Sequence, residues 1–327
     1  MSKVDDDAPG LAGEVPHGSR LVGGLAFAVV SAATFGLSGP LARPLLEAGW
    51  SPGAIVLVRV SIAALVVLPF GVVALRRRWD VLRRNAGLVA VYGVLAVAGA
   101  QFCYFSAVAH MQVGPALLIE YTAPAAVVCW MWLRHGQRPG PLTLIGAGVA
   151  ALGLVLVLDL VSGADLSPVG VAWALAAMVG AATYFVISAD EDNGMPPMVL
   201  AAGGLVVGSL ALGLAGLVGL LPMEAATSAV AYAGVDVDWW VPLVVLGIVT
   251  AAIPYTTGIA ASRRLGSRLA SFVALLEVVA GVLFAWLLLD ELPRAIQLLG
   301  GILILAGVVG VKLGERTTAV DRSLELP

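Results

Sequence analysis

Charge is what this 327-residue chain has least of: 12% of its residues are Asp, Glu, Lys or Arg, while 60% are hydrophobic and the mean hydropathy is +0.99. A soluble domain carries about 25% charged residues, so water is not its main solvent. The 18 Lys and Arg and 21 Asp and Glu leave a net charge of −3, and the basic residues sit between apolar runs. No basic face is available for nucleic acid. The two cysteines, Cys103 and Cys129, each fall inside an apolar run, where they read as small hydrophobes rather than a disulfide or metal pair. There is no Walker P-loop, no HExxH and no G-x-S-x-G, and the three histidines (His17, His110, His135) lie in the tail or at the ends of runs. Those absences weigh against ATP-driven work and common intramembrane hydrolysis, and no cofactor or metal is implied.

What is present is a series of apolar runs of the length that crosses a bilayer. They are expected at 21–43, 53–74, 86–109, 113–133, 141–159, 168–189, 196–221, 239–261, 268–289 and 294–313. Turn chemistry separates them at Trp50-Ser51-Pro52, Gly136 to Pro141, Ser167-Pro168, Asn193 to Pro197 and Leu292-Pro293. Residues 1–20 are polar, contain Gly and Pro, and have no apolar centre, so they read as a disordered tail, not a signal peptide. Residues 314–327 form a second tail. The first apolar run is too long for a cleaved segment and is expected to remain as an anchor.

With both termini placed in the cytoplasm, fifteen of the eighteen Lys and Arg fall inside, among them the cluster Arg76, Arg77, Arg78, Arg83 and Arg84. Only Arg43 and Arg294 fall outside, and Arg59 lies within a span. That asymmetry is the one that orients multi-pass proteins.

The chain also repeats itself. Ala32-Ala33-Thr34-Phe35 pairs with Ala181-Ala182-Thr183-Tyr184, and Gly49-Trp50-Ser51-Pro52 with Gly194-Met195-Pro196-Pro197. At an offset of 154, Gly93, Trp132, Pro139, Gly146 and Gly153 fall on Gly247, Trp286, Pro293, Gly300 and Gly307. Five spans per half is an odd number, so the second half, 168–313, is expected to enter the membrane opposite to the first, 21–160. Two inverted five-helix repeats in an all-α membrane protein are a common construction of secondary transporters.

An ionisable group inside hydrocarbon costs several kcal/mol, so each one raises a functional question. Arg59 and Glu120 are each about seven residues into spans that start from the outer face, which puts both roughly 10 Å deep at about 1.5 Å per residue. They are placed to pair, either as a structural tie between helices or as a substrate-binding or proton-handling pair. Glu277 lies further into span 9 with no basic residue at its depth. Either it is protonated at rest or it faces a wet cavity or a substrate amine. At offset 154 Glu120 falls on Ala274 and Glu277 on Ala123, so the two carboxylates are near-counterparts. Gln101, Tyr104, Thr34, Tyr121, Trp130, Trp173, Thr183, Tyr184 and Tyr255 are also inside spans, where each serves either a polar path or helix-to-helix contact. Pro40, Pro124 and Pro254 can free backbone carbonyls beside a cavity.

These residues carry a resemblance. The stretch Glu47-Ala48-Gly49-Trp50-Ser51-Pro52 with Arg59 downstream, the segment LLIEYTAPAAVVCWMWLR from Leu117 to Arg134, and the long run from Thr250 to Pro293 ending in Asp290-Glu291-Leu292 resemble the EamA family of the drug/metabolite transporter superfamily. Glu120-Tyr121-Thr122-Ala123-Pro124 and Ala252-Ile253-Pro254-Tyr255 look similar to its threonine/homoserine exporter branch. The resemblance implies efflux of amino acids or related metabolites across a bacterial inner membrane. On that reading Glu120, Glu277 and Arg59 bind zwitterionic groups or carry a coupling proton, and Tyr121, Tyr104, Gln101, Tyr184, Tyr255 and Thr34 line the path. The rivals are a lipid or lipid-linked sugar translocase of the same architecture, a membrane enzyme using Glu120 and Glu277 as acid and base, and a non-transporting membrane partner.

Overall fold

The structure, a computed structural model, describes residues 17–76, 78–123, 140–157, 167–190 and 193–324. Residues 1–16 of the N-terminal tail, and residues 124–139 with Pro124, Cys129, Trp130 and Trp132, lie outside the described residues.

The described residues are helical almost throughout. The first span is α1 (His17–Gly36) continued by α2 (Ser38–Glu47), and the second is α3 (Pro52–Leu75). Ser51 caps α3 by accepting from the Ala54 N–H, and Pro52 supplies the pre-set first residue. A short α4 (Trp79–Arg84) leads to the third span, α5 (Ala86–Val91), a π-helical segment Tyr92–Gly99 and α6 (Ala100–Val108). Then come α7 (Val113–Glu120), α8 (Pro141–Val157), α9 (Pro168–Ala189) and α10 (Pro197–Leu217). After a hairpin, β1 (Val230–Tyr232) with β2 (Val235–Val237), follow α11 (Trp240–Gly247), a second π segment Ile248–Ala252, α12 (Ile253–Val273), α13 (Leu276–Leu289) and α14 (Ala295–Leu324).

Among the described residues six helices are long and apolar enough to cross a membrane, Leu21–Glu47, Pro52–Leu75, Ala86–Val108, Pro168–Ser188, Pro197–Leu217 and Trp240–Leu265. Three shorter apolar helices, Pro141–Gly153, Leu276–Leu289 and Ala295–Gly307, accompany them. Large apolar side chains such as Leu65, Phe70, Val73 and Leu210 are exposed, as expected where the neighbour is hydrocarbon.

One boundary differs from the sequence expectation. The backbone stays helical from Ile253 to Val273 and turns at Ala274-Leu275, whereas a break was expected at 262–267. Arg and Leu favour helix, and the segment contains no proline to stop it. Positive charge marks a membrane boundary without ending a helix. Glu277 is therefore the second residue of α13, beside the turn, and not about nine residues into a helix that begins at 268.

The repeat is written into the packing. A Cβ on Gly153 would lie 2.6 Å from Gly300 O and 2.7 Å from Ile304 N. One on Gly307 would meet Gly146 O and Ala150 N. At offset 154 these are the same contacts with the halves exchanged, so α8 and α14 approach backbone to backbone through equivalent glycines. Gly93 faces Val207 and the Gly204 carbonyl, while Gly247 faces Ile62 and the Arg59 carbonyl, again an exchanged pair. Even the irregularities correspond: moved by 154, Tyr92–Gly99 covers the second π segment. The turn glycines Gly49 and Gly194 are also counterparts, both with positive φ (101° and 64°).

Residues 218–239 form a strap from the second half across the first. Ser51 N–H donates to Glu224 O at 3.0 Å, its hydroxyl to Pro222 O at 2.7 Å, and Trp50 Nε1 to Ala226 O at 2.8 Å. Trp50 stacks on Trp239 at 5.8 Å. The hairpin turns through Ala233 and Gly234, both with φ above zero. It then bridges the halves, Tyr232 donating to Leu41 O at 2.6 Å and the Ala233 N–H to Leu288 O at 3.1 Å.

Candidate functional site

Polar residues from several helices line one pocket of about 70 Å³, whose wall includes Ser31 and Phe35 of α1, Gln101 of α6, Glu120 and Tyr121 at the end of α7, Tyr184 of α9, Tyr255, Gly258 and Ser262 of α12, and Glu277 of α13. Both halves contribute. The two carboxylates arrive there because their helices tighten at corresponding places. The Thr122 N–H donates back to Ile119 O at 3.1 Å, and those of Glu277 and Val278 to Ala274 O and Leu275 O at 2.9 and 3.1 Å. These are three-residue steps in place of four, so each helix tightens where its carboxylate emerges.

Tyr121 donates its hydroxyl to Glu277 Oε2 at 2.5 Å. Around them three rings meet edge to face: Phe35 and Tyr255 with centroids 5.2 Å apart, Tyr184 and Tyr255 at 5.9 Å, and Phe35 and Tyr184 at 6.4 Å. Carboxylates beside aromatic rings form a surface suited to a small cation, through Coulomb attraction and the ring quadrupoles together.

Arg59 lies behind this wall, with none of its surface exposed. The expected pairing with Glu120 does not form: among the described residues no ion pair within 4 Å involves Arg59. Its guanidinium instead donates to Gln101 Oε1 and to the Thr250 carbonyl in the second π segment, and stands 5.1 Å from the Phe105 ring centroid. The counterpart of Thr250 at offset 154 is Ala96, whose carbonyl accepts from Tyr255 at 3.3 Å. Each π segment thus offers the equivalent carbonyl to a side chain of the other half. Widening a helix to five-residue bonds loosens such carbonyls from their own chain.

Two stretches of the chain, residues 22–159 and 168–313, match the EamA-like transporter family. The chain belongs to the EamA-like transporter family. It is 28% identical over 253 residues to an uncharacterized transporter of Archaeoglobus fulgidus, covering 77% of this chain and 83% of that protein. It is 26% identical over 288 residues to the threonine/homoserine exporter RhtA of Salmonella typhimurium, covering 84% and 86%. A crystal structure of a protein 22% identical aligns with a TM-score of 0.59 over 94% of this chain and 99% of the other, a likeness of fold. The molecule is a multi-pass membrane transporter with a two-repeat fold, and the enzyme reading is set aside.

Within this EamA-like transporter, Glu120, Glu277, Tyr121, Gln101, Tyr184 and Tyr255 come together on the pocket wall. Arg59, Tyr104 and Thr34 do not line it. The Tyr104 ring is buried beside Gly39 and Val113, and the Thr34 hydroxyl returns to Val30 O at 2.7 Å on its own helix. Ser31, Phe35, Gly258 and Ser262 were not singled out from the sequence. For Phe35 a signal existed, because the internal repeat pairs it with Tyr184.

Proposed function

We propose that this EamA-like transporter is a secondary transporter that exports amino acids or related small metabolites across the bacterial cell membrane by alternating access. The observation that carries the reading is the pocket between the two halves, where Glu120 and Glu277 stand among tyrosines. The named activity of the RhtA relative supports the same class. The architecture that goes with it has ten spans in two inverted five-helix repeats, 21–160 and 168–313, with the tails 1–20 and 314–327 in the cytoplasm.

In this arrangement the carboxylates take the substrate ammonium or a coupling proton. At about 70 Å³ the pocket is far below the roughly 300–1,000 Å³ of sites that hold a metabolite. Binding therefore requires the halves to part, and the exchanged glycine contacts supply two equivalent surfaces on which they can move. The strap at 218–239, fastened to both halves, would hold one side shut while the other opens.

The test is uptake into and counterflow from proteoliposomes with a labelled amino-acid panel including threonine and homoserine, for wild type, Glu120→Gln and Glu277→Gln. Saturable flux abolished by either substitution supports the reading. Absence of flux for every amino acid overturns it and favours a lipid or lipid-linked sugar translocase, which lipid flip assays on the same vesicles would detect.

A further inference from the structure

A guanidinium has donors and no acceptor, so the Gln101 atom that meets Arg59 is necessarily its oxygen, as the structure has it. The Gln101 amide nitrogen is thereby turned away from Arg59. Gln101 lines the pocket and Arg59 does not. The neighbouring Tyr255 hydroxyl is committed to Ala96 O. The amide N–H groups are left on the pocket side. The guanidinium is itself anchored on the far side by Thr250 O and the Phe105 ring, so it holds the amide without entering the pocket. Had it entered, it would have neutralised the carboxylates that the pocket presents.

We infer that Arg59 is a positioning residue for substrate selection: it orients Gln101 so that the pocket presents a fixed amide N–H donor, which takes the carboxylate of a zwitterionic amino acid whose ammonium group is held by Glu120 and Glu277. This rests on the amino-acid reading of the pocket. It moves Arg59 from contact with substrate to one residue behind it, and it makes the presence of a free carboxylate a condition of tight binding.

The experiment compares threonine with threonine methyl ester, which keeps the ammonium group and lacks the carboxylate, in proteoliposomes of wild type, Gln101→Glu, Arg59→Met and Arg59→Lys. Gln101→Glu keeps a partner for Arg59 and presents an oxygen where the N–H stood. It is expected to lower the preference for threonine over the ester, as the ratio of their KM values, by about tenfold, the size of one hydrogen bond to a charged group. Arg59→Met is expected to lower the ratio similarly by freeing the amide to rotate, and Arg59→Lys to restore part of it.

An unchanged ratio in Gln101→Glu, with threonine still carried by wild type, overturns the role assigned to Arg59 and leaves the exporter reading standing. If Arg59→Met does not fold, the Gln101→Glu ratio decides alone. No threonine flux in wild type, with other amino acids carried, moves the same comparison to a carried amino acid and its ester. No amino-acid flux at all overturns both readings.

Discussion

Tyr121, just past the end of α7, gives its hydroxyl to Glu277 near the start of α13, 2.5 Å away and 156 residues distant in sequence. The bond joins the two halves at the pocket. Because a buried hydrogen bond to a carboxylate is worth more than one between neutral groups, Tyr121→Phe should lower kcat/KM for the transported substrate by about tenfold. The ring still fills its place, but the buried Glu277 carboxyl loses a donor, so the melting temperature in detergent should fall as well. Undiminished transport by Tyr121→Phe would show that the bond is not used in the cycle.

Gly258 sets the width of the pocket. A Cβ there would meet the Tyr184 hydroxyl and come within 2.7 Å of Ser31 Oγ. Both are the ends of side chains and can shift, so Gly258→Ala should fold. The shift narrows a pocket that is already small, and the variant should lose transport of larger substrates before smaller ones. Equal KM increases for glycine and for a bulky amino acid would contradict this.

Gly153 and Gly307 face backbone atoms, not side-chain ends, and backbone cannot swing aside. Gly153→Ala and Gly307→Ala should each destabilise the protein by about 1–3 kcal/mol, the usual cost of overpacking. Their contacts are equivalent under the repeat, so the two losses should be similar in size. Thermal unfolding in detergent measures both, and a large effect from one glycine with none from the other would refute the equivalence.

Glu291 lies beyond the end of α13 and accepts from the Val113 N–H at 3.3 Å. Burial holds its carboxyl above the usual carboxylate range, opposed by that N–H and by Arg43 and reinforced by Glu47. The folded chain thus binds this proton more tightly than the unfolded chain. The resulting stabilisation is present at low pH and is lost as pH rises through the raised value. Glu291→Gln cannot ionise yet keeps an acceptor for Val113. Its melting temperature relative to wild type should therefore rise as pH is raised from the usual carboxylate range upward, and a difference that stays flat or falls would contradict the assignment.

Much of the site was legible in one dimension. Glu120, Glu277, Gln101, Tyr121, Tyr184 and Tyr255 stood out because polar groups in apolar runs are costly, and the structure gathers all six on one wall. Arg59 and Glu120 were matched by depth, yet depth along a span says nothing about the direction a side chain takes around it. Arg59 turns to Gln101 and Thr250 instead. Thr34 was preferred for its hydroxyl, whereas the face of α1 that meets the pocket carries Ser31 and Phe35.

The sequence by itself determined the solvent, several helix boundaries and the repeat, because each follows from local hydropathy, turn chemistry or self-similarity. Helix ends such as Ser51-Pro52 and Ser167-Pro168 agree with the expected breaks for that reason. Only the tertiary structure decided which face each helix turns inward, where α7 and α13 tighten, and which carbonyls the π segments release. Those depend on the fit of one helix against another, through glycines and side chains far apart in the chain, and no single run of residues contains that information.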